Sequence, residues 1–302
     1  MAENKLTPRI KWTWLRTIIY LVFVIGSSAI FQLIAIVILI FLTDLDFAQI
    51  ANTPKGEIAQ TIGMFNFLLL NLSGFIGMIL FTWGYRNLVD RKSLKSLGFS
   101  FSNYKRDFFK GMDWGMAAIT VGFLILFAGG ILTVDGIQLN LEQLFIAFIL
   151  FSIVALNEEI MIRGYILGNL SESYNRYIAL IASSVLFMLM HLANANLSAI
   201  ALLNLFLAGI LLGVYYIFRR NLWFSIGLHL TWNFFQGPVY GFEVSGVKTQ
   251  SIIQSSFSGS DYLTGGKFGF EGSLLATLII LIMIFSIHQK YRIETKIDHY
   301  NK

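Results

Sequence analysis

The sequence predicts an all-α protein: a polytopic transmembrane helical bundle of about eight helices, with both termini cytoplasmic. Three observations carry that prediction. Of the 302 residues, 56% are hydrophobic and only 13% charged, against roughly 25% charged in a soluble domain. Apolar runs such as "TIIYLVFVIGSSAIFQLIAIVILIFLT" (17–43) exceed the ~20 residues that cross a bilayer as a helix. The remaining charges segregate by sign between alternate connections.

The helices fall roughly at 17–43, 60–83, 113–134, 143–168, 177–195, 199–218, 221–237 and 273–288. The first is too long for a signal-peptide core and has no small-residue cleavage pattern, so it is expected to be retained. The second ends at the basic segment 84–112, and the third lies between that segment and Asp135. The fourth starts after Glu142 and the fifth after Arg176, while the sixth ends at Arg219 and Arg220. The seventh carries His229, and the eighth runs from the polar, glycine-rich 238–272 segment to Lys290. On this layout the inner side holds Lys5, Arg9, Lys11, Arg16, the seven cations of 84–112, Arg163, Arg176, Arg219, Arg220, Lys290, Arg292, Lys296 and Lys302. Of the 22 Lys and Arg, only Lys55, Lys248 and Lys267 fall outside. Outer segments collect Asp44, Asp46, Glu57, Asp135, Glu142, Glu243, Asp261 and Glu271. This is the positive-inside pattern, and an odd number of spans breaks it.

Three regions follow: an N-terminal membrane region (1–140) with three helices and the basic inner loop, a core (141–240) with helices four to seven, and an outer loop, last helix and tail (241–302). The net charge of +5 belongs to the inner loops and implies no nucleic-acid partner. With no cysteine in the chain, disulfides, thiolate metal sites and cysteine nucleophiles are excluded. In 84–112 the cations alternate with Phe99, Phe101, Tyr104, Phe108 and Phe109, which suits either an amphipathic segment on the anionic inner leaflet or a solvated connector. The 238–272 segment reads as a loop rather than a lid.

Ionisable groups at membrane depth cost roughly 2.5–3.5 kcal/mol each on insertion scales, and so mark function by default. Here they cluster late: Glu158, Glu159 and Arg163 in "LNEEIMIRGYILG", His191 in "FMLMHLANAN", and His229 with Asn233 in "GLHLTWNFFQGP". Glu159 and Arg163 are four apart and can pair along one helix face, whereas Glu158 lies about 100° round and is free to point elsewhere. His229 and Asn233 share a face, and Asn194 follows His191 by nearly a turn. Rise per residue puts Glu158 roughly 8 Å, His229 roughly 12 Å and His191 near 20 Å from the inner edges of their helices, a gap that tilt or a fifth helix that starts late would close. Singly, these residues also suit structural roles: an ion pair, a packed histidine, interhelical asparagines, and a core or lipid-facing Phe187.

A carboxylate with an imidazole can activate water and return the proton to a leaving amine. A second histidine with an asparagine can donate to the developing oxyanion. The same Glu158, His191 and His229 can instead ligate zinc and leave one position open, although no His-Glu-x-x-His helix is present. Zinc as a cofactor is therefore possible, not demanded.

"EEIMIR" (158–163), "FMLMH" (187–191) and "HLTWN" (229–233), in that order and spacing, resemble the Glu-Glu-x-x-x-Arg, Phe-x-x-x-His and His-x-x-x-Asn motifs of the CPBP family. This family of CAAX proteases and bacteriocin-processing enzymes, also called Abi, includes the type II CAAX prenyl endopeptidases. The resemblance covers roughly 140–240, and Asn194 and Trp232 also fit variants common in the family. It implies an intramembrane endopeptidase in which Glu158 is the water-activating base, His191 its partner, His229 and Asn233 the oxyanion donors, and Glu159 and Arg163 supporting residues. It further implies a metal-independent glutamate mechanism in preference to a metalloprotease. The implied partners are a peptide or membrane-protein substrate and the lipid bilayer, and the implied location is a bacterial cell membrane. A non-catalytic scaffold or bacteriocin self-immunity protein, and a proton-coupled transporter, are the competing classes. Against the transporter, the chain shows no paired broken helices.

Overall fold

A computed structural model describes residues 7–43 and 45–300, the side chains of 295–300 excepted. Lys5, Asp44 and Lys302 of the charge pattern, and the side chains of Lys296 and His299, lie outside the described residues. The principal elements are α1 (Thr13–Leu42), α2 (Met64–Tyr85), α3 (Lys105–Ala128), β1 (Leu132–Ile137), α4 (Leu141–Glu158), α5 (Arg176–Met190), α6 (Ala199–Arg219), α7 (Trp223–Phe234), β2 (Ile253–Phe257) and α8 (Leu274–Tyr300). The chain is a multi-pass, all-α membrane protein, and each of the eight expected helices is found.

Only six of them are long and apolar enough to cross a bilayer; α5, with 15 residues, and α7, with 12, are shorter. The expected fifth helix (177–195) stops at Met190, where "HLANAN" interrupts the apolar run. The seventh starts after Arg220, whose backbone is left-handed (φ 51°). Side-chain caps set three of the starts. Asn140 accepts from the Gln143 amide, Asn175 from Tyr177 and Ser198 from Ala201, satisfying donors that the first helical turn leaves free.

The end of the bundle that the charge pattern assigns to the inner side is tied by a buried ion network. Arg16 of α1 pairs with Asp90 (2.7 Å), which also takes Arg86 (3.2 Å). Arg16 reaches Glu172 (3.0 Å) between α4 and α5, and Lys92 meets the same carboxylate (2.6 Å). Arg219 at the end of α6 pairs with Glu294 of α8. The start of α1 and the last turns of α8 therefore share one end of the bundle, as the charge pattern predicts. The basic 84–112 segment is docked rather than solvated: Phe101 and Phe108 pack edge-on against Trp223 at the start of α7 (4.6 and 5.8 Å), and α3 already begins at Lys105.

The outer end contains what the apolar pattern conceals. The expected third helix (113–134) stops at Ala128, because Gly130 takes a positive φ of 68°. The β-branched "ILTVDGI" then forms β1, antiparallel to β2, with an irregularity between Val134 and Gly136. The 238–272 segment is a fixed cover. The Gly246 amide donates to the Phe268 carbonyl and the Lys248 amide to Gly56, both at 2.9 Å, and Asn196 reaches the Lys267 carbonyl (3.4 Å).

Burial grades from rim to centre: 11% of the apolar window of α1 is buried against 67% for α6. Every residue of α7 from Phe224 to Asn233 is buried. Its close partner is α3, where a Cβ on Gly111 or Gly115 would overlap the carbonyl oxygens of Phe224 and Leu228. Small residues let two backbones approach in an apolar medium, and this crossing joins the N-terminal region to the core as one body.

Candidate active site

At Glu158 the α4 helix widens into a π-helical stretch, Glu159–Leu167, before closing with Gly168–Leu170. Wide turns of this kind recur at functional sites. Here the two adjacent glutamates diverge at the junction. Glu159 points into protein, fully buried, and pairs with Arg163 at 2.9 Å, the i,i+4 contact that the spacing predicts. Arg163 also donates to the carbonyls of Ala208 (3.4 Å) and Gly209 (3.2 Å) on α6. That reach depends on the close packing of α5 and α6, where a Cβ on Gly209 would lie 2.7 Å from the Ser184 Cβ.

Glu158 turns instead to a cavity of about 370 Å³. Its Oε2 lies 3.9 Å from His191 Nε2 and 3.8 Å from His229 Nε2. The depth mismatch expected between the histidines is resolved by where the helices begin. Since α4 extends to Leu170, Glu158 is twelve residues, about 18 Å, from the inner end; His191, fifteen residues from Arg176, is about 22 Å up. Ser225 bonds the Leu212 carbonyl of α6 (2.6 Å), seven residues before Arg219, so α7 starts deep and His229 comes to about 16 Å. The late-starting helix is α7 rather than α5.

Each imidazole is oriented through its other nitrogen. His191 Nδ1 donates to the Phe187 carbonyl (2.7 Å), and His229 Nδ1 to Glu159 Oε1 (2.9 Å). Both partners are acceptors, which fixes Nδ1–H and turns both Nε2 atoms to the cavity. Asn233 lines the same cavity one turn beyond His229. Asn194 also lines it, but from the turn after α5, where its Nδ2 donates to the Ser245 carbonyl of the outer cover (3.3 Å).

Three features escape the sequence reading. The first is the Glu159–His229 bond, which joins two motifs 70 residues apart. The second is Phe187, more than a packing aromatic: its ring lies 4.5 Å from the Arg163 guanidinium and 4.5 Å from the His191 ring, and its carbonyl holds that imidazole. The i,i+4 spacing to His191 was the available signal. The third is Glu271, which enters the topology as an ordinary outer acid yet turns inward to line the cavity. Its Oε1 accepts from the Ser245 amide (2.5 Å) and hydroxyl (2.7 Å). Burial pushes its carboxyl above the usual range, opposed by those two bonds and by the imidazoles of His191 and His229.

A tetrahedral zinc with bonds near 2.0–2.1 Å separates its ligand atoms by about 3.3 Å. The Nε2–Oε2 separations of 3.9 and 3.8 Å are wider. Among the described residues, no group of three or more His, Cys, Asp or Glu side chains is arranged to hold a metal ion. The set as it stands fits a water molecule better than a metal.

Comparison with known proteins agrees with the motif reading. A family model described as "Type II CAAX prenyl endopeptidase Rce1-like" matches residues 140–235. No curated protein and no solved structure gives a significant match. The matched segment starts at the Asn140 cap of α4 and ends just past α7, and so contains every cavity residue singled out above except Ser245 and Glu271. Over that segment, the chain is similar to the Rce1-like, type II CAAX prenyl endopeptidase family.

Proposed function

We propose that the protein is an intramembrane endopeptidase that hydrolyses a peptide bond of a membrane-associated peptide or protein through a water activated by Glu158. The observation that carries this reading is the approach of two imidazole Nε2 atoms to one carboxylate oxygen inside a cavity. Separations of 3.8–3.9 Å are too long for direct hydrogen bonds and suit a bridging water about 2.8 Å from each atom. His191, whose Nδ1 faces a neutral carbonyl, keeps a lone pair on Nε2 and holds that water. Glu158 takes its proton as the oxygen attacks the scissile carbonyl.

His229 has a carboxylate on its Nδ1 side, which stabilises a ring protonated on both nitrogens and able to donate from Nε2. With the Asn233 carboxamide it receives the developing oxyanion. Glu158 then passes its proton to the leaving nitrogen, the C–N bond breaks, and a carboxylate and an amine result. Glu159 and Arg163 act one step back, by holding His229. Asn194 supports the cavity through Ser245. We further propose that this chemistry runs in a bacterial cell membrane, where peptide maturation and bacteriocin self-immunity are roles compatible with it.

The test compares membrane-associated peptides, by mass spectrometry, in cells carrying wild type or Glu158→Gln at equal protein levels. Peptides produced only with wild type are expected. Identical profiles, with the variant fully rescuing a deletion phenotype, sink the reading in favour of a scaffold or immunity role. Chelators separate the two chemistries. Treatment with 1,10-phenanthroline is expected to leave turnover unchanged; loss of activity restored by zinc would instead make Glu158, His191 and His229 metal ligands.

A further inference from the structure

Glu271 occupies a built position. It lies in the tight turn Phe270–Gly272 just before α8. Asn204 of α6 donates to its main-chain carbonyl and to that of Ser273, both at 2.8 Å. Thr277 of α8 in turn donates to Asn204 Oδ1 (2.7 Å), so the turn is fixed to two helices. The carboxyl is oriented by two donors from Ser245, both on Oε1. No Lys or Arg forms an ion pair with it among the described residues.

The cavity that Glu271 shares with Glu158 is lined by two glutamates and two histidines, and by no Lys or Arg. Arg163 is spent on Glu159, behind the wall. With two carboxyl groups against the single imidazolium of His229, and no Lys or Arg facing them, this low-dielectric cavity favours a positively charged guest. Glu158 is committed to the water, whereas Glu271 has no part in the proposed reaction and lines the cavity from the turn before α8. Anchoring Ser245 alone does not call for an acid, because a neutral amide oxygen accepts the same two hydrogen bonds.

We propose that Glu271 is a specificity-determining residue: it receives a cationic nitrogen of the bound peptide, either a terminal ammonium or a Lys or Arg side chain, on the outer side of the bond that Glu158 attacks. The substrate class narrows accordingly to peptides that carry a positive charge beside an apolar segment. This rests on the endopeptidase reading, but its binding half can be tested without turnover.

The experiment uses the full chain in nanodiscs, made inactive by Glu158→Gln, and titrates it with fluorescent peptides of one apolar sequence. The peptides contain Lys or norleucine at one position and have a free or acetylated N-terminus. Peptides bearing the recognised nitrogen are expected to bind about tenfold or more tightly than the neutral peptide, the scale of a charge-assisted contact. The two substitutions tell the ammonium from the side chain. Adding Glu271→Gln, which keeps the acceptor for Ser245, should abolish the preference with an unchanged unfolding temperature, and Glu271→Asp should retain it. A preference that survives Glu271→Gln, or equal binding of all the peptides to the Glu158→Gln protein, overturns the proposal. If Glu271-dependent preference is present but wild type cleaves none of the peptides it binds, the cation site stands and the endopeptidase reading falls.

Discussion

Glu158→Ala in purified protein should lower the rate by about 10²–10⁴-fold, the range for loss of a general base, while changing stability by no more than about 0.5 kcal/mol. The second half follows from the geometry. The Glu158 side chain is 22% exposed to the cavity, and its nearest imidazoles lie beyond hydrogen-bond length, so its removal leaves no buried partner unsatisfied. His191→Ala should behave alike. The measurement pairs turnover of a cleaved peptide with thermal unfolding in detergent. Wild-type turnover by Glu158→Ala would falsify the assignment of the base.

Arg163→Ala should do the opposite and damage the fold first. The guanidinium is fully buried and is held by Glu159, by two α6 carbonyls and by the Phe187 ring. Its loss leaves the Glu159 carboxylate buried without its cation, at a cost of about 3–5 kcal/mol, a large share of the roughly 5–15 kcal/mol that stabilises a typical domain. Activity falls as well, since Glu159 no longer holds the His229 ring in place. Removing both charges, in Glu159→Gln/Arg163→Met, should recover most of the stability and little of the activity. An unfolding temperature for Arg163→Ala equal to wild type would show that the pair does not support the bundle.

The contrast between these two glutamates was readable from spacing, because an ordinary helical step of about 100° already sets Arg163 beside Glu159 and turns Glu158 away; the π-helical widening from Glu159 to Leu167 was not. The helices were readable for a similar local reason: apolar runs end at charges, at Asn175 and Ser198 caps, or at glycine. Convergence was not, since it depends on how deep each helix starts, and only the Ser225–Leu212 contact reveals that α7 begins inside the bundle. Likewise "ILTVDGI" continues an apolar run and becomes a strand only because Ile253–Phe257, more than a hundred residues away, pairs with it. Glu271 had no periodic signal at all. It lies in a glycine-rich stretch whose path is set by contacts with Ser245 and Asn204.

The two helices too short to cross a bilayer alone, α5 and α7, are the ones that bring His191 and His229. Six long helices can enter the membrane on their own hydropathy, but these two need neighbours to cover their ends: α6 beside α5, and α3 with α6 around α7. In biosynthetic terms the histidines are positioned last. A nascent chain with its early spans inserted already carries Glu158, yet it is a carboxylate without a reaction to run. On the endopeptidase reading proposed above, competence to cut then coincides with completion of the bundle.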